Sequence, residues 1–179
     1  MHRYLANGFA SWLGCPVDIA DLFAVLDILE SADAPYWVAG GWGVDVLVGR
    51  HTRPHRDVDL ALDAASENAA VGALEAFGYR VETEQRPTRV ELAAPGRRWV
   101  DLHPVVFDAE GVGRQADLDG GFFLYPHGAF TVGTLQGRAV PCLSVSKQLD
   151  FRSGYPLRDV DHHDITLLES LNAHQSGGH

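Results

Sequence analysis

Lysine is almost missing from this 179-residue chain: Lys147 stands alone, and every other basic side chain apart from histidine is arginine. That imbalance reads as codon usage and not as mechanism. Cysteine is equally scarce. Cys15 and Cys142 lie far apart and fit no metal-ligand spacing, so a reduced cytoplasmic protein is expected. No stretch approaches the run of about 18 apolar residues that a membrane span needs. The opening MHRYLANGFASWLG lacks the long apolar region of a signal peptide, so neither a membrane partner nor an export signal is expected. Positive charge is in deficit, with 14 Lys and Arg against 24 Asp and Glu and a net charge of −10. Nucleic-acid binders carry basic patches, so no nucleic-acid partner is expected. A small cationic ligand is compatible with the balance. Internal repeats and low-complexity tracts are missing as well.

What is present suits one domain with a real core: 46% hydrophobic and 21% charged residues. VDIADLFAVLDILESADA has helical apolar spacing, with Asp18 as its cap. PYWVAG is a short strand ending in a glycine pair, and GWGVDVLVG is a helix that stops near Gly49. DVDLALD alternates as a strand does. SENAAVGALEAFGY is a further helix, with Ser66 as cap and Gly78 as stop. RVETEQ, TRVELAAP and RWVDLHPVVF read as strands, GGFFLYPHGAFTVGTLQGRAVPCLS as strand and turn, and VSKQLDFRSG and DVDHHDITLLESLNA as helices. The expected class is α+β, a small mixed sheet flanked by helices with a helical C-terminal segment. The expected division is an N-terminal extension (1–16), a core (17–145), a helical segment (146–172) and a disordered tail (173–179).

Residues two apart on a strand share a face. Asp57 and Asp59 therefore point one way while Val58 and Leu60 point into the core. Two carboxylates that close repel unless something positive lies between them. A third acid follows from the turn signal Pro95–Gly96. Folding about Gly96 pairs positions whose numbers add to roughly 192, which sets Glu91 opposite Asp101 and Arg89 opposite His103. Acids on neighbouring strands suit a hard divalent cation. Magnesium takes oxygen ligands, commonly one or two carboxylates plus substrate phosphates. Two such ions about 3.5–4 Å apart clamp the attacking and leaving oxygens of a phosphoryl displacement. Glu91 stays open between a solvated partner of nearby arginines and a substrate contact. His103, on the face of Asp101, stays open between a structural role and a contact to the base or the substrate.

Gly40 and Gly41 precede a helix whose start offers free N–H groups and partial positive charge, which is a phosphate site. Arg50, Arg53 and Arg56 lie in the following loop as charge for the phosphates; Arg53 is taken as the nucleotide contact. Arg56 directly precedes Asp57, so strand alternation aims it away from that acid and toward a structural ion pair instead of the phosphates. The histidines have no zinc spacing. DHHD (161–164) reads as a first helical turn with acidic caps. Phe122 and Phe123 are assigned to the core, and Tyr125 is left open.

The segment YWVAGGWGVDVLVGRHTRPHRDVDL resembles the polymerase-beta-like nucleotidyltransferase superfamily, whose signature is a glycine pair, a helix and Asp-x-Asp. It is similar to lincosamide nucleotidyltransferases and aminoglycoside 2''-adenylyltransferases. RVEL, VDLHPV, VPCLS, FRSGY and DVDHHDI resemble the lincosamide group, and the likeness spans about residues 36–168. The resemblance implies a nucleotidyltransferase fold. It implies transfer of a nucleoside monophosphate from ATP or another nucleoside triphosphate to a drug hydroxyl, with magnesium, two ions being expected. By position Asp57 and Asp59 match the metal-binding acids. Asp101 matches the third carboxylate and general base, and Gly40 and Gly41 match the phosphate turn. Arg152 and Tyr155 are placed in the acceptor pocket by resemblance alone. The expected acceptor is a lincosamide, with an aminoglycoside second. An antitoxin that modifies a protein partner is a third possibility, and a degenerate nucleotide-binding regulator a fourth that the three acids argue against. The first fourteen residues have no counterpart in the resemblance. A homodimer sharing its pockets is expected, because so short a chain has little mass to enclose an acceptor.

Overall fold

The computed structural model describes residues 16–96, 98–153 and 155–176. The expected N-terminal extension lies almost wholly outside them, as do Gly154 and residues 177–179 of the expected tail.

Helix α1 (Ile19–Ser31) starts at the expected cap. The Asp18 carboxylate accepts from the Asp21 N–H at 2.8 Å, and Asp21 reaches back to the Asp18 N–H. This reciprocal box satisfies two N–H groups that a helix start leaves over. Strand β1 (Tyr36–Val38) runs into α2 (Gly40–Val48), which stops on Gly49 at φ 83°. Strand β2 (Asp57–Asp63) follows the polar loop, and a 3-10 turn, Ala64–Ser66, leads into α3 (Glu67–Ala76). Ser66, the expected cap of α3, makes no capping hydrogen bond with its side chain. Asp63 takes that place one turn earlier and accepts from the Ala65 N–H at 2.9 Å.

Strands β3 (Arg80–Gln85), β4 (Arg89–Ala94) and β5 (Arg98–Phe107) form a meander. Two hairpins follow, β6 (Gly113–Ala116) with β7 (Phe122–Tyr125), and β8 (Phe130–Leu135) with β9 (Arg138–Leu143). Helices α4 (Val145–Asp150) and α5 (Asp159–Ser176) complete the described chain. Helix α5 thus extends into the stretch set aside as a tail. Strand β6 is absent from the sequence reading: Gly-Arg-Gln-Ala carries almost no apolar alternation.

The sheet is mixed, with nine strands in the order β3-β4-β5-β2-β1-β9-β8, and β6 and β7 extending β5. Strand β2 is parallel to β5 and β1 to β9; the other pairs are antiparallel. The α+β expectation therefore holds, on a larger sheet than expected.

Parity along the strands separates two chemistries. Val58, Leu60, Leu62, Val90, Leu92, Val100 and Leu102 share a core with Leu22, Leu26, Leu29 and Leu74 of α1 and α3. Each such side chain contributes about 1.5–3 kcal/mol by leaving water. On the other face a second cluster joins Ala61, Val105, Tyr125 and Leu143 with Trp37, Phe130 and Phe151. Lys147 is packed at its edge, with Nζ 4.1 Å from the Phe151 ring centre and 2.6 Å from Asp150. Helices α2, α4 and α5 meet through Val44, Val145 and Leu168. Phe122 and Phe123, assigned to the core, are exposed, while Tyr125 is buried. The cause is topological: β7 pairs with β6 and, among the described residues, with no other strand.

Helix α2 crosses β8 at very short range. A Cβ on Gly133 would come within 2.5 Å of the Val46 carbonyl oxygen. Gly133→Ala is therefore expected to cost about 1–3 kcal/mol of stability through overpacking. Urea denaturation checks this, and an unchanged midpoint would reject the contact.

Candidate active site

The parallel pairing of β2 with β5 sets Asp59 opposite Asp101 and Asp57 opposite Trp99. The antiparallel pairing of β4 with β5 sets Glu91 opposite Asp101, the register that the hairpin arithmetic gives. Three acids from two adjacent strands, and a fourth from the next, thus share the face away from the α1–α3 core. His103 joins them, with Nε2 3.5 Å from Asp59 Oδ1 and 3.7 Å from Asp101 Oδ2. One ligand atom from each of Asp59, Asp101 and His103 lies within 4.8 Å of the other two.

The electrostatics follow from burial. Asp101 is 4% exposed. Burial pushes its carboxyl up to about 6; Asp59 and Glu91 add repulsion, against the pull of His103 and Arg89. Asp57 is raised as well, by burial and then by Asp59. For Asp59, burial opposes the charge, but the His103 hydrogen bond and the neighbouring cations outweigh it and hold the group below the usual range. His103 responds in kind: burial disfavours the imidazolium, and Asp59 and Asp101 outweigh burial and raise it. Arg89 Nη1 lies 3.0 Å from Asp101 Oδ2. Arg56 corrects the alternation argument. Its backbone faces away from Asp57, yet the long side chain turns back and Nε donates to Asp57 Oδ2 at 2.9 Å.

Asp101 Oδ1 is buried and has no hydrogen-bond partner among the described residues. An unsatisfied buried polar atom costs about 1–3 kcal/mol, more when charged. An orphaned carboxylate oxygen among further carboxylates is a fit for a hard cation such as magnesium.

The glycine turn lies directly against these acids. Gly40 has φ 56°, and a Cβ there would come within 2.1 Å of Asp59 Oδ2. A Cβ on Gly41 would come within 2.4 Å of His55 Nδ1 and 2.5 Å of Arg53 Nη2. Glycine is needed at both places because carboxylate on one side and basic loop on the other press against the backbone. Helix α2 opens here, so its first-turn N–H groups lack acceptors within the helix. His55 is held from behind by Asp45 of α2, Nε2 to Oδ2 at 2.7 Å, and Thr52 also donates to Asp45.

These groups line a cavity of about 720 Å³. Gly40, Gly41, Arg53, Asp57, Asp59, Asp101 and His103 form its polar side; Phe123, Phe151 and Tyr155 form an aromatic side. Arg152, assigned to the acceptor pocket, also lines it but is buried and committed to Gln148 and Asp164. Glu91 is not among the lining residues: Thr83 donates to it at 3.1 Å, and Arg89 and Arg56 lie 3.7 and 3.9 Å away. In DHHD, Asp161 does cap the helix start, accepting from the Arg158 N–H at 2.9 Å. Asp164 does not; it reaches across to Arg53 and Arg152. The sequence reading passes over Gln115, Gln148, His55 and Asp45 as site residues. Of these only Asp45 carried a signal, a charge on an otherwise apolar helix.

Known proteins are similar to this chain in sequence and in fold. A family model described as aminoglycoside-2''-adenylyltransferase matches residues 21–168. A lincosamide resistance protein of Staphylococcus haemolyticus is 38% identical over 151 residues, which cover 84% of this chain and 94% of that protein. A 2''-aminoglycoside nucleotidyltransferase of Klebsiella pneumoniae is 34% identical over 71 residues, 38% of this chain and 40% of that protein. The lincomycin-bound crystal structure of the lincosamide antibiotic adenylyltransferase LnuA superposes with a TM-score of 0.80 at 38% identity, covering 87% of this chain and 99% of that one.

At the cavity rim the start of α5 is closed by Asp161, whose carboxyl the Arg158 hydrogen bonds draw down to about 2 despite burial. A depressed carboxyl stabilises the fold above its unfolded value, near 4, and loses that contribution as pH falls through its folded value. The difference in melting temperature between the parent and Asp161→Asn should be full above about pH 4.5 and should shrink toward about pH 2. A difference independent of pH over that range would reject the ion pair.

Proposed function

The chain belongs to the aminoglycoside-2''-adenylyltransferase family and is a nucleotidyltransferase; from that premise we propose that it transfers a nucleoside monophosphate from ATP to a hydroxyl of a lincosamide and releases pyrophosphate. The relative named for lincosamide resistance and the lincomycin-bound neighbour, which match over most of this chain, support that acceptor. An aminoglycoside is the second choice, since the relative so named matches over 71 residues. One observation carries the chemistry: Asp57, Asp59 and Asp101 converge beside the Gly40–Gly41 turn, and Asp101 presents an oxygen without a donor.

Asp57, Asp59 and Asp101 would hold magnesium, which when bound neutralises charge on the phosphates and favours attack at phosphorus. Asp101 is the general base. Its carboxyl, raised by burial, faces the cavity as the acceptor for the hydroxyl proton. As that proton leaves, the acceptor oxygen bonds to the α-phosphorus and the bond from that phosphorus to the bridging oxygen breaks. The electron pair departs with pyrophosphate. Gly40, Gly41 and Arg53 neutralise the leaving group through backbone N–H groups and guanidinium. His103 orients Asp59 and Asp101 through its Nε2 edge. Phe123, Phe151 and Tyr155 give the drug an apolar wall, and positioning between wall and acids supplies much of the rate.

The same reading takes the cytoplasm, where nucleoside triphosphates are available, as the place of action. It includes a homodimer: Val106, Phe122 and Leu124 are exposed on β5 and β7, on either side of Arg114 of β6, and a second copy would cover them.

An acceptor screen with labelled triphosphates and Mg²⁺ tests the proposal. Lincomycin should gain the mass of one nucleoside monophosphate; modification of aminoglycosides alone would move the reading to the second acceptor. Asp57→Asn and Asp59→Asn should abolish turnover with an unchanged circular dichroism spectrum. Asp101→Asn should lower kcat by about 10²–10⁴-fold. Full activity in any of the three would remove that residue from its assigned role.

A further inference from the structure

Asp164 is held by two arginines, and its place on α5 lies outside the sheet that carries the three acids. Its side chain is 1% exposed. Arg53 Nε donates to Oδ1 and Arg53 Nη2 to Oδ2, each at 2.9 Å. Arg152 Nη2 donates to Oδ2 at 2.8 Å. The connections continue from both arginines. Arg53 Nη2 lies 2.5 Å from where a Gly41 Cβ would be, against the helix start. Arg152 Nη1 donates to the Gln148 side-chain oxygen at 2.7 Å, and Gln148 Nε2 donates to the Gly40 carbonyl at 3.3 Å. One buried carboxylate is therefore linked by hydrogen bonds to Gly40, through Arg152 and Gln148, and holds Arg53 beside Gly41.

Two guanidinium groups meet this one carboxylate, and Asp45 and Asp161 act on Arg53 as well, so the cluster is a network of opposed charges and not a lone ion pair. Among the described residues Arg152 Nε is buried without a hydrogen-bond partner. Arg53, Gln148, Arg152 and Asp164 all line the cavity that holds the three acids. A planar guanidinium binds a phosphate well only when its fork is aimed, and a two-point carboxylate contact from behind is what aims it.

We propose that Asp164 is a positioning residue for the donor's β- and γ-phosphates: it does not touch the nucleotide, but aims Arg53 and, through Arg152 and Gln148, fixes the turn that receives the leaving pyrophosphate. This rests on the reading of Gly40, Gly41 and Arg53 as the phosphate cradle. It assigns to the C-terminal helix a part in donor binding that DHHD did not disclose as a sequence.

The test is calorimetric titration of the full chain with inorganic pyrophosphate and with ATP, together with KM for each substrate. Asp164→Asn should weaken pyrophosphate and ATP by about 10–100-fold, the range for groups that orient a ligating residue from behind. KM for the acceptor should stay unchanged, and Asp164→Glu should recover part of the loss. Asp161→Asn, which also removes a carboxylate of α5 but one that accepts from Arg158 at the start of that helix, should leave pyrophosphate affinity unchanged. Equal pyrophosphate affinity in Asp164→Asn and the parent, or an equal loss in Asp161→Asn, would overturn the proposal. If Asp164→Asn does not fold, Arg152→Lys keeps the charge but loses the fork, and must give the same selective loss; unchanged affinity there overturns the proposal too. The cradle itself has a separate control. Parent protein that binds pyrophosphate no better than Gly41→Ala would overturn the reading of the turn, whereas a clear difference there with no effect at Asp164 would overturn this inference alone.

Discussion

Like charge held at close quarters is the constraint from which the rest of this molecule follows. The register of β2 on β5 leaves Asp59 and Asp101 no choice but to be neighbours. Their backbones are fixed by a ladder and by an apolar core on the opposite face, so the carboxylates cannot separate without unpacking Val58, Leu60, Val100 and Leu102. Every feature near them answers that repulsion. Arg89 leans on Asp101, Arg56 curls back onto Asp57, and His103 bridges toward Asp59 and Asp101. One oxygen still lacks a partner. That unpaired oxygen, among further carboxylates, is a place where a cation would relieve the repulsion.

His103 is in turn set by groups that touch no carboxylate. Gln115 Nε2 lies 3.3 Å from His103 Nδ1, and the Tyr125 hydroxyl donates to Gln115 Oε1 at 2.6 Å. Tyr125 stacks on Phe130, and Lys147 lies 4.9 Å from its ring centre. The aromatic cluster that walls the cavity is therefore also the support of the acidic centre. The aromatic side and the acidic side of the cavity are parts of one packed unit.

Much of this was legible in the sequence because it is local. Alternation in DVDLALD fixes which face Asp57 and Asp59 share, and a turn at Pro95–Gly96 fixes Glu91 against Asp101 within one hairpin. What was illegible is what long side chains and distant segments do. Nothing in a strand pattern says that Arg56 will wrap round its own backbone. Nothing in DHHD says that Asp164 will find Arg53, 111 residues away. The Phe122–Phe123 pair misleads for a different reason. Aromatic residues on a strand are buried only if another layer covers them, and β7 is the outermost strand of its hairpin. Ser66 misleads because the chain inserts a tighter turn before α3, and Asp63 does the capping instead.

The parallel pairing of β2 with β5 also dictates an order of events during synthesis. Antiparallel neighbours can join as soon as both have left the ribosome, but a parallel partner must wait for the intervening excursion to close, here the whole of α3, β3 and β4. The outer tie to Asp164 waits longer still, for α5. The acids of β2 therefore meet Asp101 only after β5 has been made, and the lining of the cavity is complete only once α5 has followed.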